Sequence, residues 1–347
     1  MKRNWKKWAA LLATAAVVLS AAAYIYAQRK ARLEAQPEFV LTYAENQTED
    51  YPTTKAAFYF AQLVAERTGG KVEIQIHPDS ALGDELAVMD QMEFGGIDFT
   101  RVSLATIADI FPKLNILQMP YLYKDSDHMW KVLDGKLGSL FMEELDGSPF
   151  VPLSWYDAGA RSFYTTGTPL THLEDLKGLR IRVAESSLMT DVITALGAIP
   201  VPMAFDQVYQ ALETGQIDGA ENNWPSYEAM RHYRPAPYFT EDEHLRIPEM
   251  QLISRKTWEK LPQEYQEIIL GCAKESARYQ RRLWSERVRT AKNDMEKAGV
   301  TTSLLAPGER EKFIAAMKPV YDKYSAGYED LVKAIRALGE EESQTLP

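Results

Sequence analysis

The chain has 347 residues, 46% hydrophobic and 11% aromatic, which suffices for one large or two smaller cores and excludes a disordered chain. Its single cysteine, Cys272, excludes disulfide frameworks and cysteine-built zinc or iron–sulfur centres. Formal charge is −10, and nearly all of the first segment's charge is basic, so the remainder is more acidic still.

That first segment, residues 1–36, opens with Lys2, Arg3, Lys6 and Lys7 and continues through an uncharged run from Ala9 to Ala27. The run reads as the apolar region of a signal peptide, cleaved at Ala21–Ala23 or after Ala27, and equally as an anchor nearly long enough to span a bilayer. Both readings place the rest of the chain outside the cytoplasm. Beyond residue 36 there are 32 basic and 48 acidic residues, a formal charge of −16. Nucleic acid is not a partner for such a surface, and any anion it binds must be held by a local arginine pocket.

In chain order, FVLTYA (39–44), KVEIQI (71–76), IDFTRV (97–102), FVPLSW (150–155), RIRVA (180–184) and MQLIS (250–254) read as strands. Between the first two, Ala57, Phe60, Ala61 and Val64 share one helical face, and Gly69-Gly70 stops the helix. Strands alternating with helices predict an α/β fold with mostly parallel sheets.

MEFGGIDFTR (92–101) and LETGQIDGAE (212–221) align without gaps, 120 residues apart. In each, a helix stops at Gly95 or Gly215 and Ile-Asp opens a strand, which predicts two topologically similar lobes. The loops after these strands leave from carboxyl ends, where open α/β sheets bind ligands. IDGAENNWPSY (217–227) is one of them, with Trp224 and Tyr227 read as either pocket wall or packing anchors. After Pro262 an apolar face through Tyr265, Ile268, Ile269, Cys272 and Ala273 continues towards Gly299, which predicts one long helix bracing both lobes. Residues 341–347 read as a frayed tail.

The chain lacks HExxH, GxSxG, a Walker-type loop and a GxGxxG after a strand, and its five histidines show no metal spacing. No cofactor and no metal are predicted. EDEH (241–244) reads as a solvated acidic turn. Glu85, Glu221 and His244 are able to move protons, which keeps a lyase or isomerase in view as the enzymatic rival. Arg180 and Arg182 alternate with Ile181 and Val183 on one strand face, either in solvent or at a ligand. Arg161 follows the small residues Ala158-Gly159-Ala160, and a guanidinium there can fork onto a carboxylate in a way lysine cannot.

DLKGLRIRV, LGAIPVPMAFDQVYQALETGQIDGAEN and PDSALGDELAVMDQMEFGGIDFT resemble the solute-binding proteins of tripartite ATP-independent periplasmic (TRAP) transporters, the DctP-type family, over about residues 38–335. The resemblance implies a two-lobed α/β clamshell with lobes at 37–158 plus 247–286 and 159–246 plus 287–340. It implies capture of a small carboxylate by a monomer and delivery to small and large membrane subunits. The family's carboxylate-binding arginine falls on Arg182, its second arginine on Arg161 and its asparagine on Asn222, while an aromatic lining position matches Phe205. Where many members read Glu-Asn-Pro, this chain has Asn223 and then Trp224-Pro225, and it resembles a subgroup associated with uronates. Asn223, Glu85, Asn46 and Arg101 are the expected polar contacts. A C4-dicarboxylate is the alternative ligand, since Arg101 supplies a second cation.

Overall fold

A computed structural model describes residues 36–340 and a few residues between 19 and 26. The signal-or-anchor assignment, apart from those few residues, and the tail at 341–347 lie outside the described residues.

Among the described residues eleven strands form two sheets. In chain order they are β1 (Phe39–Ala44), β2 (Val72–His77), β3 (Phe99–Ser103), β4 (Phe150–Tyr156) and β5 (Ala160–Thr165). There follow β6 (Arg180–Val183), β7 (Ile199–Pro202), β8 (Gly219–Asn222), β9 (Tyr238–Arg246), β10 (Glu249–Ser254) and β11 (Thr301–Ser303). One sheet has the order β2-β1-β3-β10-β4, the other β7-β6-β8-β5-β9-β11. In both, three parallel strands are followed by one that runs antiparallel to its neighbours.

The 120-residue echo is a repeated joint. Gly95 and Gly215 end their helices in the left-handed conformation, φ 79° and 69°, which glycine adopts without steric cost. The next Asp then turns back onto the neighbouring strand. Asp98 Oδ2 accepts from Thr42 N at 2.7 Å, and Asp218 Oδ2 accepts from Arg180 N at 2.8 Å. Because each Ile-Asp is spent on this joint, β3 and β8 begin two residues later than the hydrophobic pattern predicts.

The sheets are connected twice by strands that change sheet. β4 leads into β5 through Asp157-Ala158-Gly159, and β9 leads into β10 through Ile247-Pro248. The third connection is the helix Gln263–Lys297. Its first half buries Tyr265, Ile269, Cys272 and Ala273 with Phe60, Val64 and Phe99 of the first sheet's core. Its last turns bury Ala291 and Met295 with Trp224, Tyr227 and Phe239 of the second. A fully buried side chain of this size is worth about 1.5–3 kcal/mol, so the helix is held firmly to both cores. Between these halves Gln280 grips the crossing segment, accepting from Asp157 N at 2.9 Å and donating to Asp157 O at 2.8 Å.

EDEH is not a solvated turn. It lies in β9, where four residues bulge against Ser162 of β5, and the bulge turns Asp242 and His244 into the interior.

Candidate ligand-binding site

The carboxyl ends of β1, β3, β6 and β8 and the starts of β5 and β10 converge on a cavity of about 710 Å³, counting its open mouth. Arg182, Arg161, Asn222, Asn223, Glu85, Asn46, Arg101 and Phe205 all line it. Trp224 and Tyr227 do not. The Trp224 ring stacks on Phe239 at 3.6 Å, and Tyr227 donates to Ala236 O at 2.7 Å, so both anchor the loop from beneath.

The three arginines of the cavity differ in what they already hold. Arg182, in β6, is 4% exposed and donates from Nε and Nη2 to Met203 O, at 3.0 and 2.6 Å. Among the described residues no carboxylate forms an ion pair with it, and burial depresses its pKa. Arg161, in β5, instead forks onto Glu221, with Nη2–Oε1 at 2.7 Å, and donates from Nη1 to Asn222 Oδ1 at 3.0 Å. Glu221 is fully buried beneath the cavity floor, and His244 Nε2 stands 3.7 Å from it. His244 Nδ1 meets Asp242 Oδ2 at 2.8 Å. Burial opposes charge on this imidazole, but Asp242 and Glu221 outweigh it and lift His244 to about 9. A chain of alternating charges, Asp242, His244, Glu221 and Arg161, therefore supports the floor. Of the three groups named for the enzymatic rival, Glu85 lines the cavity, whereas Glu221 and His244 do not.

Arg101, in β3, is 2% exposed and saturated. It donates from Nη1 to Glu85 at 2.7 Å and Glu249 at 3.2 Å, from Nε to Glu45 at 3.2 Å, and from Nη2 to Glu45 and Asn46. Three carboxylates surround one guanidinium, so Arg101 is not the spare cation that a dicarboxylate requires.

The adjacent amides also differ. Asn222 Oδ1 accepts from Arg161 and from Asn223 N at 2.8 Å, which leaves its Nδ2 as the uncommitted group. Asn223 is the N-cap of the helix Trp224–Ala229, its Oδ1 accepting from Ser226 N at 2.7 Å and from Tyr51 Oη at 3.4 Å. Sequence reasoning missed this cap, although Asn two residues before Pro225 signals it. Asn46 Nδ2 donates to Glu85 Oε1 at 3.2 Å. Phe205 is half-buried after β7, its ring edge-on to His232, which burial and Arg182 hold down to about 3 and hence neutral. Sequence reasoning also missed Glu45 and Glu249. Glu45 adjoins Asn46 at the end of β1 and could have been found there; Glu249 has no local signal, because β10 pairing alone brings it to Arg101.

Residues 43–327 match the family model described as bacterial extracellular solute-binding protein, family 7, DctP. The chain belongs to this family. A solute-binding protein of Chromohalobacter salexigens is 36% identical over 293 residues, covering 84% of this chain and 87% of that protein. Among solved structures, a TRAP periplasmic solute-binding protein from Bradyrhizobium in complex with galacturonate superposes with a TM-score of 0.83 at 38% identity, covering 86% of this chain and 99% of that one. One from Roseobacter denitrificans with bound β-D-glucuronate gives 0.82 at 38% identity with the same coverage. This solute-binding protein therefore shares their two-lobed clamshell, with the cavity between the lobes.

Proposed function

We propose that the protein captures a hexuronate outside the cytoplasm and hands it to the small and large membrane subunits of a TRAP transporter. The observation that carries this reading is Arg182: a buried guanidinium at the cavity wall, pinned to Met203 O and paired with no side-chain carboxylate among the described residues. A ligand carboxylate is the counter-ion that such a group calls for. In this reading Arg182 takes one carboxylate oxygen or both, and the remaining Nη1 proton of Arg161 and the Asn222 amide complete the grip. Asn223 Nδ2, Asn46 and Glu85 serve hydroxyls, and Phe205 packs against the sugar ring. The galacturonate and glucuronate bound to the similar solved proteins support the ligand class. The lobes divide at 37–158 plus 247–286 and 159–246 plus 287–340, and closure about Asp157–Gly159 and Ile247–Pro248 buries the ligand. The protein acts as a monomer, and residues 1–36 direct export, as signal or anchor.

Calorimetry with D-glucuronate, D-galacturonate, succinate and malate tests the ligand class. Tight binding of a uronate with no heat from succinate is expected. Succinate bound more tightly than either uronate would overturn the assignment.

A further inference from the structure

The cavity that Arg182 lines from the second sheet is also lined by Arg101 and Glu249 of the first sheet and by Glu85, and the charges of these three do not cancel. Every N–H of Arg101 is taken by Glu45, Asn46, Glu85 and Glu249. Glu45, fully buried, already balances this guanidinium through its forked contact, so Glu85 and Glu249 are surplus. Glu85 Oε2 is occupied, accepting from Thr106 Oγ1 at 2.7 Å. Glu249 Oε2 is different: it is buried at the cavity lining and has no hydrogen-bond partner among the described residues.

An unpartnered buried carboxylate oxygen accepts a hydroxyl and repels a second carboxylate in a site where little water screens them. We propose that Glu249, with Glu85 beside it, makes this cavity a single-carboxylate filter that accepts a uronate at its hydroxyl end and refuses the corresponding six-carbon diacid. The diacid has the same carbon count but carries a carboxylate where the uronate carries its anomeric hydroxyl. With one carboxylate on Arg182, its other faces the surplus charge of Glu85 and Glu249. The inference rests on the hexuronate reading and names Glu249 as a specificity-determining residue that the carboxylate grip does not include. Burial lifts the Glu249 carboxyl to about 8, against the pull of Arg101, with Glu45 and Glu85 adding to the rise and Arg161 opposing it. The filter is therefore strictest above that pH.

Calorimetry at pH 9 with galacturonate against galactarate, and glucuronate against glucarate, tests this on the wild type, Glu249→Gln and Glu85→Gln. The wild type is expected to prefer the monoacid by about 100-fold or more, since like-charge juxtaposition is costly. Glu249→Gln should narrow that preference about tenfold by tightening the diacid. Should Glu249→Gln fail to fold, Glu85→Gln, on the helix Glu85–Phe94, reads the same charge. Wild-type diacid binding within about threefold of the uronate would overturn the filter and leave the uronate reading intact. So would a preference unchanged in the folded variants. If neither uronate binds but galactonate does, the uronate reading falls, and the galactonate-to-galactarate ratio decides the filter by the same thresholds.

Discussion

Arg182 and Met203 are joined through one atom: Nε and Nη2 of the arginine both donate to the methionine's carbonyl oxygen, at 3.0 and 2.6 Å. This bifurcated grip fixes the guanidinium plane while leaving both Nη1 protons without a hydrogen-bond partner among the described residues. A lysine has one nitrogen and cannot hold Met203 O and a carboxylate fork together. Arg182→Lys is therefore expected to weaken glucuronate binding by about 2 kcal/mol, roughly 30-fold, by calorimetry. A change below about threefold would remove Arg182 from the carboxylate site.

Arg161 and Arg182 should separate in stability measurements. Arg161→Met strands Glu221, fully buried, with only His244 nearby, and loss of one partner from a buried pair costs about 3–5 kcal/mol. Arg182→Met removes a buried cation that has no carboxylate partner among the described residues and costs mainly the Met203 hydrogen bonds, about 1–2 kcal/mol. Urea unfolding of the two variants reads the difference; equal losses would contradict these different environments.

In the proposed function Asn223 would carry two roles, one at each end of its amide. Asn223→Asp keeps the oxygen that caps Ser226 N and loses the Nδ2 donor that the proposed site assigns to a ligand hydroxyl, whereas Asn223→Ala loses both. The alanine variant should lose about 1 kcal/mol of stability from the missing cap, and the aspartate variant less. Both should weaken glucuronate. Unaltered glucuronate affinity in the stable aspartate variant would restrict Asn223 to its capping role.

Stability should fall as pH rises from 6.5 to 9. His244 in the folded chain titrates near 9 against an ordinary 6.5, so its stabilising proton is fully present below pH 6.5 and lost as pH passes 9. Glu249 titrates near 8 against 4.5, so the folded chain again holds the proton longer than the unfolded one, and stability declines between those values. Melting curves should shift downward across this window, and Glu249→Gln should lessen the shift. A melting temperature that is flat or rises over the window would contradict both assignments.

Gly159→Ala should cost more than Gly197→Ala. Both glycines have positive φ, 63° and 84°, a strain of about 1–2 kcal/mol for alanine. At Gly197 the added methyl meets open space, but at Gly159 it would lie 2.8 Å from Trp284 Nε1, on the segment that crosses between sheets. Equal destabilisation in urea would show that the tryptophan yields without cost.

The α/β class, the paired Gly–Ile–Asp joints and the long helix were legible in the sequence because each rests on local chemistry: a hydrophobic period, a left-handed stop or a turn back onto the adjacent strand. The EDEH strand was not, because its bulge exists only through pairing with β5 around Ser162. The site shows the same division. Residue type, position and family resemblance made Arg182 and Arg161 the candidates for a carboxylate and Arg101 the second cation of the alternative dicarboxylate. Which of them is available depends on carboxylates distant in sequence. Glu45 and Glu249, 56 and 148 residues away, meet Arg101, and Glu221, 60 residues away, meets Arg161. Sequence alone determined that arginines and amides would gather at the strand ends. The tertiary structure decided that Arg101 and Arg161 are neutralised while Arg182 stays unpaired by any described carboxylate, because burial makes the free energy of each charge depend on what the fold sets beside it.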